Sequence, residues 1–350
     1  MFKYSSHIIL SLFGLGFIAF FSACERPEKL YPEPVAPVGI QTQIFGMGEN
    51  YEHQLWFEFS TQNTVTNDPS VWDIGFSCRE DATIIVNGGK HATFGVTRYP
   101  GYDFKDLTYL SAQQIQSIDW QFDNPKGDPD SLAFRNWADY TGAGVFTGKD
   151  QLYLINRGAD SMGTRKFVKL KVLSRENGVY HIQWGYLADT AATHDEYLLV
   201  NNDRNFLYYN FTICKQVDNE PLPRDGWDIV FTTYRKTILD ELNNYKPYPY
   251  ILRGVLFNPN KVKALRIPTK TEWSKVDLAL AKSLTLSSDL DIIGYDWKIW
   301  NLSANKYTVD QNKIYIILDT KGNYFKMKFV DFYDDQGRKG YPKMAWELLK

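Results

Sequence analysis

Trp227-Asp228-Ile229-Val230-Phe231 restates Trp72-Asp73-Ile74-Gly75-Phe76, 155 residues downstream. The neighbouring stretches match in the same order. Trp56-Phe57-Glu58-Phe59-Ser60 corresponds to Tyr208-Tyr209-Asn210-Phe211-Thr212, and Phe94-Gly95-Val96 to Arg253-Gly254-Val255. Further along, Phe167-Val168-Lys169-Leu170-Lys171-Val172 corresponds to Tyr324-Phe325-Lys326-Met327-Lys328-Phe329, and Trp184 to Trp346. The offsets drift between 152 and 162, as two diverged copies with unequal loops would give. A repeat this long is a whole domain, because solenoid units recur every ~20–50 residues.

Short alternating runs dominate both copies. Leu55-Trp56-Phe57-Glu58-Phe59, Thr83-Ile84-Ile85-Val86, Phe206 to Phe211 and Lys313 to Leu318 read as strands. In Phe325-Lys326-Met327-Lys328-Phe329 the period of two predicts one buried and one wet face, with Met327 on the core side. Gly, Pro, Asn and Asp punctuate the runs and mark turns, as in 123–128 and 334–337. Helical pattern is limited to 106–115 and its counterpart 271–284. The expectation is an all-β protein: two tandem antiparallel β domains with few short helices, 40–193 and 194–350. The small, polar stretch 188–195 is read as their connection.

The N-terminus reads as a targeting segment. Residues 8–21 form an apolar run of 14, too short for a membrane span and suited to a signal peptide over 1–23. It ends Phe21-Ser22-Ala23-Cys24, which resembles a lipoprotein processing site, so Cys24 is the expected lipidated residue and membrane anchor. Residues 24–39 carry Pro27, Pro32, Pro34 and Pro37 and read as an extended tether. At ~3.1 Å per residue it spans roughly 40 Å. The net charge is −2, with basic residues scattered, so no nucleic-acid footprint exists. Cys78 and Cys214 are expected as free thiols, with a disulfide between them open in an exported protein. No Cys-x-x-Cys pair, phosphate loop, nucleophile elbow or zinc helix appears, which leaves catalysis without a residue set.

The order of these motifs resembles the HmuY family: an aromatic strand, Trp-Asp-Ile-x-Phe, a Gly-Val strand, Tyr-Phe-Lys-Met-Lys-Phe, then Gly-Tyr-Pro and a closing strand. The fullest match runs from Gly226 to Pro342, and the first copy matches less completely. The resemblance implies an all-β outer-membrane lipoprotein that captures haem, at the cell surface or the periplasmic face, and passes it to a TonB-dependent outer-membrane transporter. It also implies an iron-ligating His directly after Trp-Asp-Ile-x-Phe. Ser77 and Thr232 stand there instead.

Histidine is confined to the first part of the chain. Outside the signal segment His53, His91, His181 and His194 are present, and none follows His194. Methionine is the other axial ligand to consider. Met327 and Met344 read as core residues. His91 follows the turn 87–90 and Met162 lies in the loop 158–163, so these two are the candidate haem-binding residues. Two functions follow: a non-enzymatic binding protein for haem or another tetrapyrrole, or a structural or protein-interaction lipoprotein that keeps the fold without haem ligation.

Overall fold

Alternation of apolar and polar residues, with β-branched and aromatic side chains, gives the strands their two-faced character. The computed structural model describes residues 39–158, 166–240, 244–268 and 270–350. The expected signal segment, Cys24 and most of the tether therefore lie outside the described residues, as does Met162. All pairings among the described strands are antiparallel, and the two α-helices, Ala112–Ser117 and Leu278–Ser283, have six residues each. The all-β expectation holds. The helical turns also fall where expected, each behind an acidic or hydroxyl cap: Ser111 accepts from the Gln114 amide and Asp277 from the Leu280 amide.

Two main hydrophobic cores organise the described residues. The first core is drawn from residues between Ile74 and Phe211. The second combines Phe45, Met47, Leu55, Phe57 and Phe59 with residues from Ile229 to Trp346. The sheets show how. Strand Phe206–Asn210 pairs with Ile74–Ser77, and strand Gln54–Phe57 pairs with Ile229–Asp240. Strand Gln41–Ile44 adds to the C-terminal strand Lys339–Leu348.

This corrects the expected division at 193/194. That point lies in the turn of a hairpin whose strands, Val179–Tyr186 and His194–Leu199, pair along their length. The first lobe is contiguous, from about Trp72 to Val217. The second is split, with 41–67 returning to pack on 227–350. Each copy's aromatic strand serves the other copy's core. The physical reason is that both strands carry the same apolar pattern, so either core accepts either strand.

The correspondence between lobes is atomic. The Asp73 amide donates to the Tyr209 carbonyl at 2.9 Å, and the Asp228 amide to Phe57 at 2.8 Å. The Asn87 side-chain amide donates to the Trp72 carbonyl, and that of Asn258 to Trp227. Trp72 packs edge-on against Tyr208 at 4.9 Å, and Trp227 against Trp56 at 4.5 Å. Asp73 and Asp228 therefore reach beyond a neighbouring turn. Their carboxylates accept the amides of Phe211 and Phe59, pinning the exchanged strand from across the sequence.

A second correction concerns the lysine face. Lys169 and Lys326 are both buried. Lys169 Nζ donates to the carbonyls of Phe104 and Leu107, and Lys326 Nζ to those of Trp273 and Val276. Each lysine threads under the helical turn of its own lobe and satisfies carbonyls that the short helix cannot. Period two says which face a residue points to, and the covering turn turns that face dry. Met327 and Met344 are in the core, as expected. Cys78 and Cys214 are free.

Candidate functional site

The two lobes diverge where the second carries a long arm. In the first lobe the strands after the Trp-Asp motif are short, Ile74–Ser77 and Ile84–Val86. In the second, Ile229–Asp240 and Lys246–Phe257 pair over twelve residues each. The outer half of this arm, with hairpin Lys298–Asn301/Lys306–Val309, encloses a cleft of about 1440 Å³. Its walls include Tyr51, Tyr250, Trp300, Tyr307 and Tyr333, and its rim mixes Glu49, Asp331 and Arg338. Drug-sized ligand pockets run ~300–1,000 Å³, so this open cleft is larger than most of them.

Arg253 and Lys298 sit together in this cleft. The Arg253 guanidinium lies 4.9 Å over the Tyr51 ring. Lys298 Nζ donates to the Arg253 carbonyl at 2.8 Å and lies over Trp297 at 4.4 Å and Phe332 at 5.0 Å. Burial pushes the Lys298 ammonium down to about 7, and the Arg253 charge adds to the effect. Burial raises the Tyr51 phenol to about 12, with Tyr307 contributing, so it stays protonated. The sheet register makes Ala82, just before the short strand Ile84–Val86, the first-lobe counterpart of Arg253, and it is buried. The cleft is thus a property of the second lobe. Sequence reasoning missed it, and the match of Phe94-Gly95-Val96 to Arg253-Gly254-Val255 is corrected here: strand Gly95–Pro100 pairs with Gln151–Asn156 as Lys263–Arg266 pairs with Tyr315–Leu318.

The sequence candidates lie elsewhere. His91 belongs to the first lobe, beside the foot of the arm, where Arg235 donates to the backbone carbonyls of His91, Ala92 and Phe94. Gly89 lies so close to the Thr233 carbonyl that no Cβ fits there. His91 Nδ1 accepts from the Thr93 amide at 3.2 Å, and its ring packs on Gly158. Of the other histidines, His181 pairs with Asp195 at 2.6 Å and stacks on Tyr197, while His194 stacks on Trp184. His53 is exposed. No histidine or methionine lines the cleft, and no cluster of His, Cys, Asp or Glu able to hold a metal ion occurs among the described residues.

No curated protein matches the chain. Among solved structures, the chain is similar to the Tannerella forsythia apo HmuY analogue, at 10% identity over 90% of this chain and 98% of that one, with a TM-score of 0.31. It is also similar to apo PinO from Porphyromonas gingivitis, at 8% identity over 90% and 99%, with a TM-score of 0.25. Residues 202–346, which include the arm and most of the cleft, match the family model of HmuY protein, and over that span the resemblance read from the motifs is shown.

Proposed function

We propose that this chain is a non-enzymatic binding protein, carried on the outer membrane by a lipidated Cys24, that captures a tetrapyrrole such as haem for a TonB-dependent transporter. The carrying observation is the cleft of about 1440 Å³ in the family-matched half, with aromatic walls around two cations. A flat conjugated ring with acidic side arms fits this chemistry: Tyr and Trp faces stack on it, and Arg253 with Lys298 meets its carboxylates. The iron fits less well, because the cleft offers neither His nor Met and its Tyr51 phenol is held protonated. We therefore assign the ring and carboxylates to these residues and assign no axial ligand in the cleft.

A second haem reading, with His91 and Met162 as ligands, is favoured by one observation: His91 packs against Gly158, which shortly precedes Met162 in the sequence. A haem titration of the chain from Glu25 onward separates the readings. Binding through the cleft survives His91→Ala and Met162→Ala, and the absorption spectrum lacks the signature of two strong axial ligands. Loss of binding in those variants moves the site to the first lobe. No binding at all leaves a structural or interaction lipoprotein. For the anchor, Cys24→Ala is expected to shift the protein from the membrane fraction to the soluble periplasm. Unchanged detergent partitioning would refute lipidation.

A further inference from the structure

Arg253 presents an anomaly that the fold does not explain. Its Nε is buried without a hydrogen-bond partner, and no carboxylate pairs with it among the described residues. Lys298, whose ammonium touches the Arg253 carbonyl, likewise has no acidic partner there. The nearby Asp296 is taken by Arg266 at 2.7 Å and Lys313 at 3.1 Å. Two neighbouring cations without a counter-charge weaken a fold. The first lobe carries no cation there: by the sheet register, Ala82 stands where Arg253 does. Neighbouring cations without a counter-charge beside a cleft are a mark of a ligand site.

We infer that Arg253 and Lys298 read the carboxylates of a flat, conjugated polyacid, and that the cleft holds its ligand by charge and ring stacking, indifferent to iron. This rests on the binding function proposed above and names the ligand class more narrowly: metal-free cyclic tetrapyrrole acids are ligands equal to haem. Tyr250 and Trp300, about half exposed at the mouth, supply stacking faces that need no metal.

The test is a tryptophan-fluorescence titration of the chain from Glu25 onward with haem, metal-free protoporphyrin IX and protoporphyrin dimethyl ester. Haem and the metal-free acid are expected to bind within about threefold of each other, and the uncharged ester at least about tenfold more weakly. Arg253→Gln and Lys298→Gln each weaken both acids by about tenfold or more and leave the ester unaffected. Arg253→Gln is expected to change Tm little, because only its contact with the Tyr51 ring is lost. A pH series adds an independent readout. The charged and titratable groups around the Lys298 ammonium are Arg253, Asp296 and the Tyr307 phenol, which burial raises. Lys298 is then the group that changes charge near neutrality, so affinity for protoporphyrin falls from about pH 6 to about pH 9, and Lys298→Gln flattens the fall.

Haem binding with protoporphyrin more than about tenfold weaker would show iron coordination, overturning this inference while the binding function stands. An ester as tight as the acid would also overturn it. Failure of every ring to bind would remove the binding function itself.

Discussion

The fragment 202–350, expressed alone, does not fold cooperatively. Its core is completed by Phe45, Met47, Leu55, Phe57 and Phe59, all buried and all supplied from before Asn67. Burial of each such side chain contributes roughly 1.5–3 kcal/mol, so the five together supply on the order of 10 kcal/mol. A domain's whole stability is about 5–15 kcal/mol. Without residues 41–67 the strand Ile229–Asp240 also loses one of its two partner strands and exposes an edge that invites aggregation. Adding 39–68 through a linker to 220–350 restores a sharp urea transition, and the contiguous lobe 72–217 folds by itself. A cooperative transition in the bare 202–350 fragment would contradict the strand exchange. The family match of 202–346 takes in Phe206–Asn210, the strand that the fold gives to the first lobe, and omits the strand that replaces it.

Asp73→Ala is the single substitution with the largest expected cost, about 3–5 kcal/mol, because it takes the carboxylate from a buried cation. Asp73 is fully buried and accepts from Arg157 at 2.9 Å, Lys90 at 2.7 Å and the Phe211 amide at 2.9 Å. Its counterpart Asp228 pairs with no cation among the described residues. It accepts the amides of Phe59 and Thr320 and lies near Asp319, and burial followed by that second acid pushes it up to about 7. The two equivalent acids thus respond differently. Asp228→Ala leaves two buried amides without partners, which costs about 1–3 kcal/mol for each. The folded state holds a proton on Asp228 that the unfolded chain releases above about pH 4, so its contribution to stability falls as pH rises from about 4 to about 7. Asp228→Asn removes that slope. Equal urea midpoints for Asp73→Ala and the parent protein would refute the anchoring role.

The fold class was legible because alternation, turn residues and the repeat all agree. The capped turns near Ser111 and Asp277 and the core positions of Met327 and Met344 followed from local pattern. The exchange was not legible. Trp56-Phe57-Glu58-Phe59 and Tyr208-Tyr209-Asn210-Phe211 match so well that pairing either with either Trp-Asp-Ile strand buries the same surfaces. Lys326 was misread because a period of two reports direction and says nothing about the turn Trp273–Lys275 lying over that face. The cleft escaped because it depends on the length of an arm and on rings brought together from Tyr51, Tyr250 and Tyr307, which share no local motif. His91 and Met162 were chosen for their loops. The structure brings His91 to Gly158 and puts Arg253 and Lys298, not histidine, in the cleft.

Hydrogen–deuterium exchange of the chain from Glu25 onward, with and without haem, tests most directly whether the second-lobe cleft is the ligand seat. Slower exchange on binding is predicted in Lys246–Phe257 and across Lys298–Val309, with residues 87–96 unchanged. Protection confined to 87–96, or no protection at saturating haem, would contradict it.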